Sequence, residues 1–100
     1  MTTDISDDMV FVPVEGLEVS DVPDGRVIYQ ASTERVHYLN PTSVVVFEFC
    51  DMRQPVREIV AFLKTAYQLQ DPPLAEVHAC IGSLLEENLL RPLTPSFAAP

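Results

Sequence analysis

Arg35-Val36-His37-Tyr38-Leu39-Asn40-Pro41 is the stretch of this sequence that decides the fold. Its first five residues place Val36 and Tyr38 on one side and their neighbours on the other, which predicts a short strand over 35–39. Asn40 can cap a helix with its side-chain oxygen, and Pro41 presets the first helical φ angle. The stretch therefore predicts a strand that passes directly into a helix.

Two more strand-like segments precede this stretch. Residues 17–22 and 26–31 contain β-branched and aromatic residues, which favour strands, and Pro23-Asp24-Gly25 between them is typical of a turn. Ser32-Thr33-Glu34 forms a second short link, which leads to the strand over 35–39. Because links this short join strands that run in opposite directions, the three segments predict an antiparallel meander.

Three helices are predicted after the meander, each with a proline near its start. The first covers about residues 41–50; its Val44-Val45-Val46-Phe47 run would also suit a buried strand, but the Asn-Pro start favours a helix. The second follows Gln54-Pro55, and the third follows Asp71-Pro72-Pro73 with an apolar stripe that reaches Leu89. The predicted fold class is α+β: a winged-helix-like domain in which a three-stranded antiparallel meander is followed by three helices.

Size and charge narrow the class of protein. The 100 residues, 47% of them hydrophobic, suffice for one domain, predicted over 11–91 between disordered tails at 1–10 and 92–100. Six Lys and Arg against 15 Asp and Glu give a net charge of −9, which should repel nucleic acid and anionic lipid. The N-terminus lacks the pattern of a signal peptide, and no segment is long and apolar enough to span a membrane, so we expect a cytoplasmic protein.

The residue types that usually carry catalysis or bind metals are few and scattered. Cys50 and Cys80 both fall inside predicted helices and form no Cys-x-x-Cys pair, which indicates reduced, packed thiols. His37 and His78 have no further His or Cys at ligand spacing, and the three glycines are isolated, so neither a metal site nor a phosphate loop is predicted. We therefore expect no enzymatic activity and no cofactor.

An open sheet edge is the feature that most suggests binding. If no later strand pairs with residues 35–39, that strand leaves one row of main-chain N–H and C=O groups unpaired, and it contains no proline. A terminal tail that covers the edge is the ordinary alternative. On the third helix, small residues flanked by acids recur at helical spacing, at Glu76, Ala79, Cys80, Ser83 and Glu87. This stripe is either the wall of a groove beside the edge or a simple solvated face.

Several segments together resemble one protein family. They are His37-Tyr38-Leu39-Asn40-Pro41, Glu48-Phe49-Cys50-Asp51, the Val56-x-x-Ile59-Val60-x-x-Leu63 pattern, Tyr67 and residues 81–90. In this order and spacing, over about residues 23–90, the chain resembles the PqqD-like family (pyrroloquinoline quinone biosynthesis protein D), also described as the RiPP recognition element. Two positions depart from the family pattern, since Met52 and Asn88 stand where the family usually has glycine.

The resemblance implies a function. Members of this family bind the leader segment of a ribosomally made precursor peptide as an added strand and hold it for a separate modifying enzyme, such as a radical SAM protein or a cyclase. In this chain the peptide would lie along the third strand and against the third helix. The expected peptide-binding residues are Arg35, Val36, His37, Tyr38, Leu39, Glu76, Ala79, Cys80, Ser83 and Glu87.

Other functions can be built on the same elements. A winged-helix transcription regulator would use them to bind DNA, although a net charge of −9 argues against contact with phosphates. A purely structural subunit of a modifying enzyme is a further alternative. An open strand edge can also pair with a second copy of the chain, which would give a homodimer.

Overall fold

The computed structural model of the chain describes residues 5–93. In that part of the chain the elements are β1 Phe11–Pro13, β2 Leu17–Val22, β3 Gly25–Gln30, β4 Arg35–Leu39, α1 Pro41–Asp51, α2 Val56–Ala66, α3 Leu74–Glu86 and β5 Leu90–Pro92. The predicted α+β class, with a three-stranded antiparallel meander followed by three helices, is confirmed. None of the helices within residues 5–93 has the length and the apolar character that a membrane span requires.

The meander consists of β2, β3 and β4 in that order. Val19 pairs with Ile28, and Ile28 pairs with His37, so these three side chains share one face of the sheet. Ile28 is fully buried, which identifies this face as the one turned toward the core. Gly25 is required at the start of β3, because a Cβ there would collide with the carbonyl oxygen of Leu39. This close approach holds the end of β4 against β3.

The helices begin where the proline positions predict. Asn40 is extended and its Oδ1 accepts a hydrogen bond of 2.8 Å from the Ser43 N–H, while Pro41 is the first helical residue of α1. The β-branched run within α1 is helical, so the capping signal outweighs the β propensity of that run. The other two helices start directly after Pro55 and Pro73.

One core lies between the inner face of the meander and the three helices. Side chains that lose nearly all contact with water come from β1, β3, every helix and the segment after α3: Phe11, Ile28, Val46, Cys50, Val56, Ile59, Val77, Ile81 and Leu89. Burial of an aliphatic or aromatic side chain of this size stabilises a fold by roughly 1.5–3 kcal/mol. Val77, Ile81 and Leu84 are buried, so α3 packs into this core along one side, where it contacts α1, α2 and β5.

A second sheet, of two strands, was not predicted from the sequence. β1 pairs antiparallel with β5, with Phe11 opposite Pro92. The predicted continuation of the third helix to Leu89 is wrong, because α3 ends at Glu86 and Asn88 adopts a left-handed φ of 61° that cannot continue a helix. Asn tolerates this conformation better than other non-glycine residues, which accounts for its presence at a family glycine position.

The segment before β1 lies along the start of α2. Residues 5–10 belong to the expected N-terminal tail, yet the carbonyl of Met9 accepts a hydrogen bond of 3.0 Å from the Val56 N–H, and that of Asp7 accepts one of 2.9 Å from Arg57. These donors are in the first turn of α2, which has no side-chain cap. Backbone carbonyls of residues 5–10 therefore cap α2. Two residues of the expected C-terminal tail are also ordered, since Pro92 belongs to β5 and the Leu93 N–H donates to the carbonyl of Val10 at 2.9 Å. Residues 1–4 and 94–100 of the expected tails lie outside the described residues.

Candidate functional site

β4 forms one edge of the meander. It pairs with β3 in a register that places Arg26 opposite Leu39 and Ile28 opposite His37. Among residues 5–93, no strand pairs with the other side of β4. The main-chain N–H and C=O groups that point away from β3 are therefore open to an added strand. The edge on which the binding hypothesis depends is thus present in the part of the chain that the structure describes.

A groove of about 390 Å³ lies between β4 and α3. One wall is the β4 strand itself, and the other is the face of α3 that turns toward it. The lining consists of Val36, His37, Tyr38, Leu39, Ser43, Cys80, Ser83, Leu84, Glu87 and Leu89. Because the middle of the helical wall carries short cysteine and serine side chains, a guest backbone can approach α3 closely.

Seven of the expected peptide-binding residues line this groove; they are Val36, His37, Tyr38, Leu39, Cys80, Ser83 and Glu87. Arg35 lies beside it, in an open cavity that it shares with Val36, His37 and Glu87. Two expected residues lie elsewhere, since Glu76 lines a separate cavity and Ala79 is exposed and lines neither of the two. Ala79 lies on an exposed side of α3, whereas Glu76 lies beyond the point where α1 meets α3, at which the Cys80 thiol donates to the Ser43 hydroxyl at 3.4 Å. This contact closes the groove before Glu76 is reached.

Three lining residues were not among those expected. Ser43 is positioned by the cap of α1, because its N–H donates to the Asn40 side chain. The Asn-Pro-x-Ser spacing predicts that Ser43 lies in the first helical turn, but no local pattern indicates that this turn faces α3. Leu84 and Leu89 are buried in the core and also line the groove.

His37 connects β4 to the end of α3. Its Nδ1 lies 2.9 Å from Oε1 of Glu87, and its Nε2 lies 3.3 Å from Oε1 of Gln30. Gln30 is buried and donates from Nε2 to the carbonyl of Asn88 at 3.0 Å. Both ring nitrogens of His37 thus face acceptor oxygens, and an imidazolium ion can donate to both. This network links β3 and β4 to the C-terminal end of α3.

The two cysteines are free, and burial lowers the reactivity of both thiols. Burial, with a smaller contribution from the nearby Cys80, raises the pKa of the Cys50 thiol to about 12. Burial also raises the pKa of the Cys80 thiol, against a smaller opposing effect of its hydrogen bond to Ser43. At neutral pH both groups are therefore protonated, and Cys80 presents a small neutral surface to the groove. Within residues 5–93, no cluster of three His, Cys, Asp or Glu side chains could hold a metal ion.

The fold and the groove together define a class of protein: a small α+β domain whose meander leaves an open edge beside its last helix. The family model described as Coenzyme PQQ synthesis protein D (PqqD) matches residues 25–90. The chain therefore belongs to the PqqD family. The match begins with β3 and ends at the first residue of β5, so it includes both walls of the groove. No curated protein and no solved structure was found to match the chain.

Proposed function

We propose that the domain binds the leader segment of a ribosomally made precursor peptide as an added strand on β4 and presents it to a separate modifying enzyme. The observation that supports this most directly is the position of an unpaired strand edge beside a groove with small residues on its helical wall. Membership of the PqqD family also supports it, because that family is named for the synthesis of the coenzyme PQQ.

Main-chain pairing would supply affinity for an extended peptide of many sequences. Each hydrogen bond to β4 contributes about 1 kcal/mol net, regardless of the side chains that the peptide carries. Side chains of a strand alternate between the two faces of the sheet, so every second peptide residue would point into the groove toward Cys80 and Ser83. The residues between them would lie on the opposite face of the sheet. Val36 and Tyr38 alternate with the inward-facing His37, so at the margin of the groove their side chains turn to this opposite face, where they are 66% and 57% exposed.

Charge would add selection to this general affinity. The protein carries a net charge of −9, and Glu87, whose side chain is 47% exposed, lies at the groove. Its carboxylate is held in place by the contact with His37, so it can meet a Lys or Arg of the peptide without further ordering. We expect the preferred leaders to carry basic residues near the part that pairs with β4.

The chemistry in this proposal belongs to a partner enzyme, such as a radical SAM protein or a cyclase, and the domain itself is not catalytic. Raised thiol pKa values make Cys50 and Cys80 weak nucleophiles. The domain would raise the local concentration of the precursor near that enzyme, in the cytoplasm where the precursor is translated.

Selection from a displayed library of random 15-residue peptides tests this proposal. The immobilised domain should enrich peptides with extended, basic sequences, and a fluorescently labelled peptide from the selection should bind in solution at micromolar or lower concentration. A labelled DNA duplex, tested under the same salt conditions, should not bind. No enrichment over a surface without protein would overturn the proposal, and binding of the duplex alone would favour the transcription regulator.

A further inference from the structure

A second cavity, of about 490 Å³, lies at the N-terminal end of α3. Thr42 at the start of α1, Leu63 and Tyr67 of the α2 region, and the loop from Leu69 to Pro73 form its walls, together with Glu76. The hydroxyls of Thr42 and Tyr67 are 3.4 Å apart, which joins α1 to the end of α2 at its margin. The proposed β4–α3 groove does not include this cavity.

The lining of this cavity suits a large apolar side chain with a basic neighbour. Leu63 is buried and lies at its apolar base, while Tyr67 and Leu69 remain 49% and 37% exposed although they are large hydrophobic residues. Exposed apolar side chains grouped around one concavity are typical of binding sites. Asp71 and Glu76 add two carboxylates to the same lining, which would attract Lys or Arg.

The cavity continues the line of the β4–α3 groove. Thr42 lines the cavity and the next residue, Ser43, lines the groove; on α3, Glu76 lines the cavity and Cys80, one turn later, lines the groove. The two concavities are therefore neighbours on one surface, separated by the Ser43–Cys80 contact. Since α3 rises ~1.5 Å per residue, Glu76 and Ser83 lie about 10 Å apart along its axis, which an extended peptide spans in roughly three residues.

Resting on the function proposed above, we propose that this cavity is a second anchor for the same leader peptide and takes one large apolar side chain flanked by Lys or Arg. The anchor residue lies roughly three to five residues from the part of the peptide that faces Cys80 and Ser83. A second copy of the chain is a poor occupant, because each copy carries a net charge of −9 and two would repel.

A matched pair of serine variants tests the second anchor with peptides selected on the wild-type domain. Leu69→Ser removes an apolar wall of the cavity, whereas Leu74→Ser changes a leucine of similar exposure, 42%, that is outside the lining. We expect Leu69→Ser to weaken binding about tenfold in fluorescence anisotropy and Leu74→Ser to change it by less than about twofold. Circular dichroism establishes that each variant is folded.

A change in the peptide can be measured on the wild-type domain, so its result does not depend on the folding of a variant. Replacing the large apolar anchor of a selected peptide by Ser should weaken binding to the wild-type domain about tenfold and should weaken binding to Leu69→Ser no further. If selected peptides bind but contain no such anchor, and Leu69→Ser binds them as the wild type does, the second anchor is overturned while leader binding stands. If the wild-type domain selects no peptide, both proposals fall.

Discussion

The meander has two outer strands, β2 and β4, and they differ in what lies beside them. Within residues 5–93, neither strand pairs with a further strand on its outer side. The cavity beside β2 combines apolar residues, among them Leu17, Val19 and Phe47, with the charged Arg26, Glu48 and Asp51. Arg26 is already bonded to Glu48 at 3.0 Å and to Asp21 at 2.8 Å. Beside β4 the neighbouring wall is a helix with small side chains.

The difference teaches that an unpaired edge alone does not define a binding site. β2 carries the exposed charges Glu18 and Asp21, whereas β4 carries one exposed charge, Arg35, at its first residue. Charges on an edge strand discourage the pairing of another strand. On β4 the partly buried His37 is drawn toward Glu87 and Gln30, so it does not obstruct the edge. The combination of a free edge, short helical side chains and a fixed carboxylate favours β4 as the docking strand.

The largest effect should come from removing main-chain donors of the peptide. In a strand only alternate residues direct their N–H groups toward one neighbour, so the amides of the bound peptide form two alternating sets, or frames. N-methylation of two amides in the frame that faces β4 should weaken binding, whereas N-methylation of two amides in the other frame should not. We expect the sensitive frame to lose about 30-fold in affinity, or ~2 kcal/mol, measured by fluorescence anisotropy with a selected peptide. Equal losses in the two frames would show that side-chain contacts, and not strand addition to β4, supply the affinity.

A bulky residue on the helical wall should have the next largest effect. Ser83→Trp fills the groove between α3 and β4, whereas Ala79→Trp places the same side chain on an exposed position outside the groove lining. We expect the first variant to weaken peptide binding at least about tenfold and the second to change it by less than about twofold. Isothermal titration of both folded variants provides the comparison. Equal affinities would remove α3 from the site.

The carboxylate at the groove should contribute a smaller, salt-dependent part. Glu87→Gln removes a charge from the lining, and Glu86→Gln removes one from an adjacent exposed position outside it. For a peptide with Lys or Arg, we expect Glu87→Gln to weaken binding about threefold at low salt and less at high salt, because the charge is partly exposed. If Glu86→Gln has the same effect, the overall charge of the domain and not Glu87 attracts the peptide.

The smallest effect should be the protection of one thiol. Because only the thiolate is alkylated and burial raises the pKa of Cys80, its reaction with iodoacetamide should be slow at neutral pH and should accelerate as pH rises. A saturating peptide should slow this reaction by a further few-fold, measured by mass spectrometry. Cys50, which is 1% exposed and has a pKa of about 12, is an internal control that should remain unmodified. An unchanged Cys80 rate with bound peptide would contradict occupancy of the groove.

The parts of the fold that were predicted from the sequence rest on local chemistry. The Asn40 cap, the prolines before α2 and α3, and the turn before Gly25 each act within a few residues, so each is readable without knowledge of the tertiary structure. The β1–β5 pair joins residues 11–13 to residues 90–92, and each segment ends in a proline, which argues against a strand. That pairing depends on contacts far apart in sequence, and no local pattern indicated it.

The candidate site was likewise predictable where it depends on local patterns and not where it depends on tertiary contacts. The strand edge and the stripe on α3 follow from periodicity, and most of the named residues do line one groove. Glu76 and Ala79 share helical spacing with Ser83, but spacing alone gives no information on which residues of α3 stay exposed and where α1 meets the helix. Ser43 of α1 determines that boundary, and its contact with Cys80 is a tertiary contact.

Hydrogen exchange of individual backbone amides tests most directly whether β4 is the docking strand. The exchange rates of β2 and β4 would be measured by NMR in the free domain and in the presence of a saturating selected peptide. We predict that the β4 amides pointing away from β3 exchange more slowly when the peptide is bound and that the outward amides of β2 do not change. Slower exchange in β2, or unchanged exchange in β4 with the peptide bound, would contradict strand addition on β4.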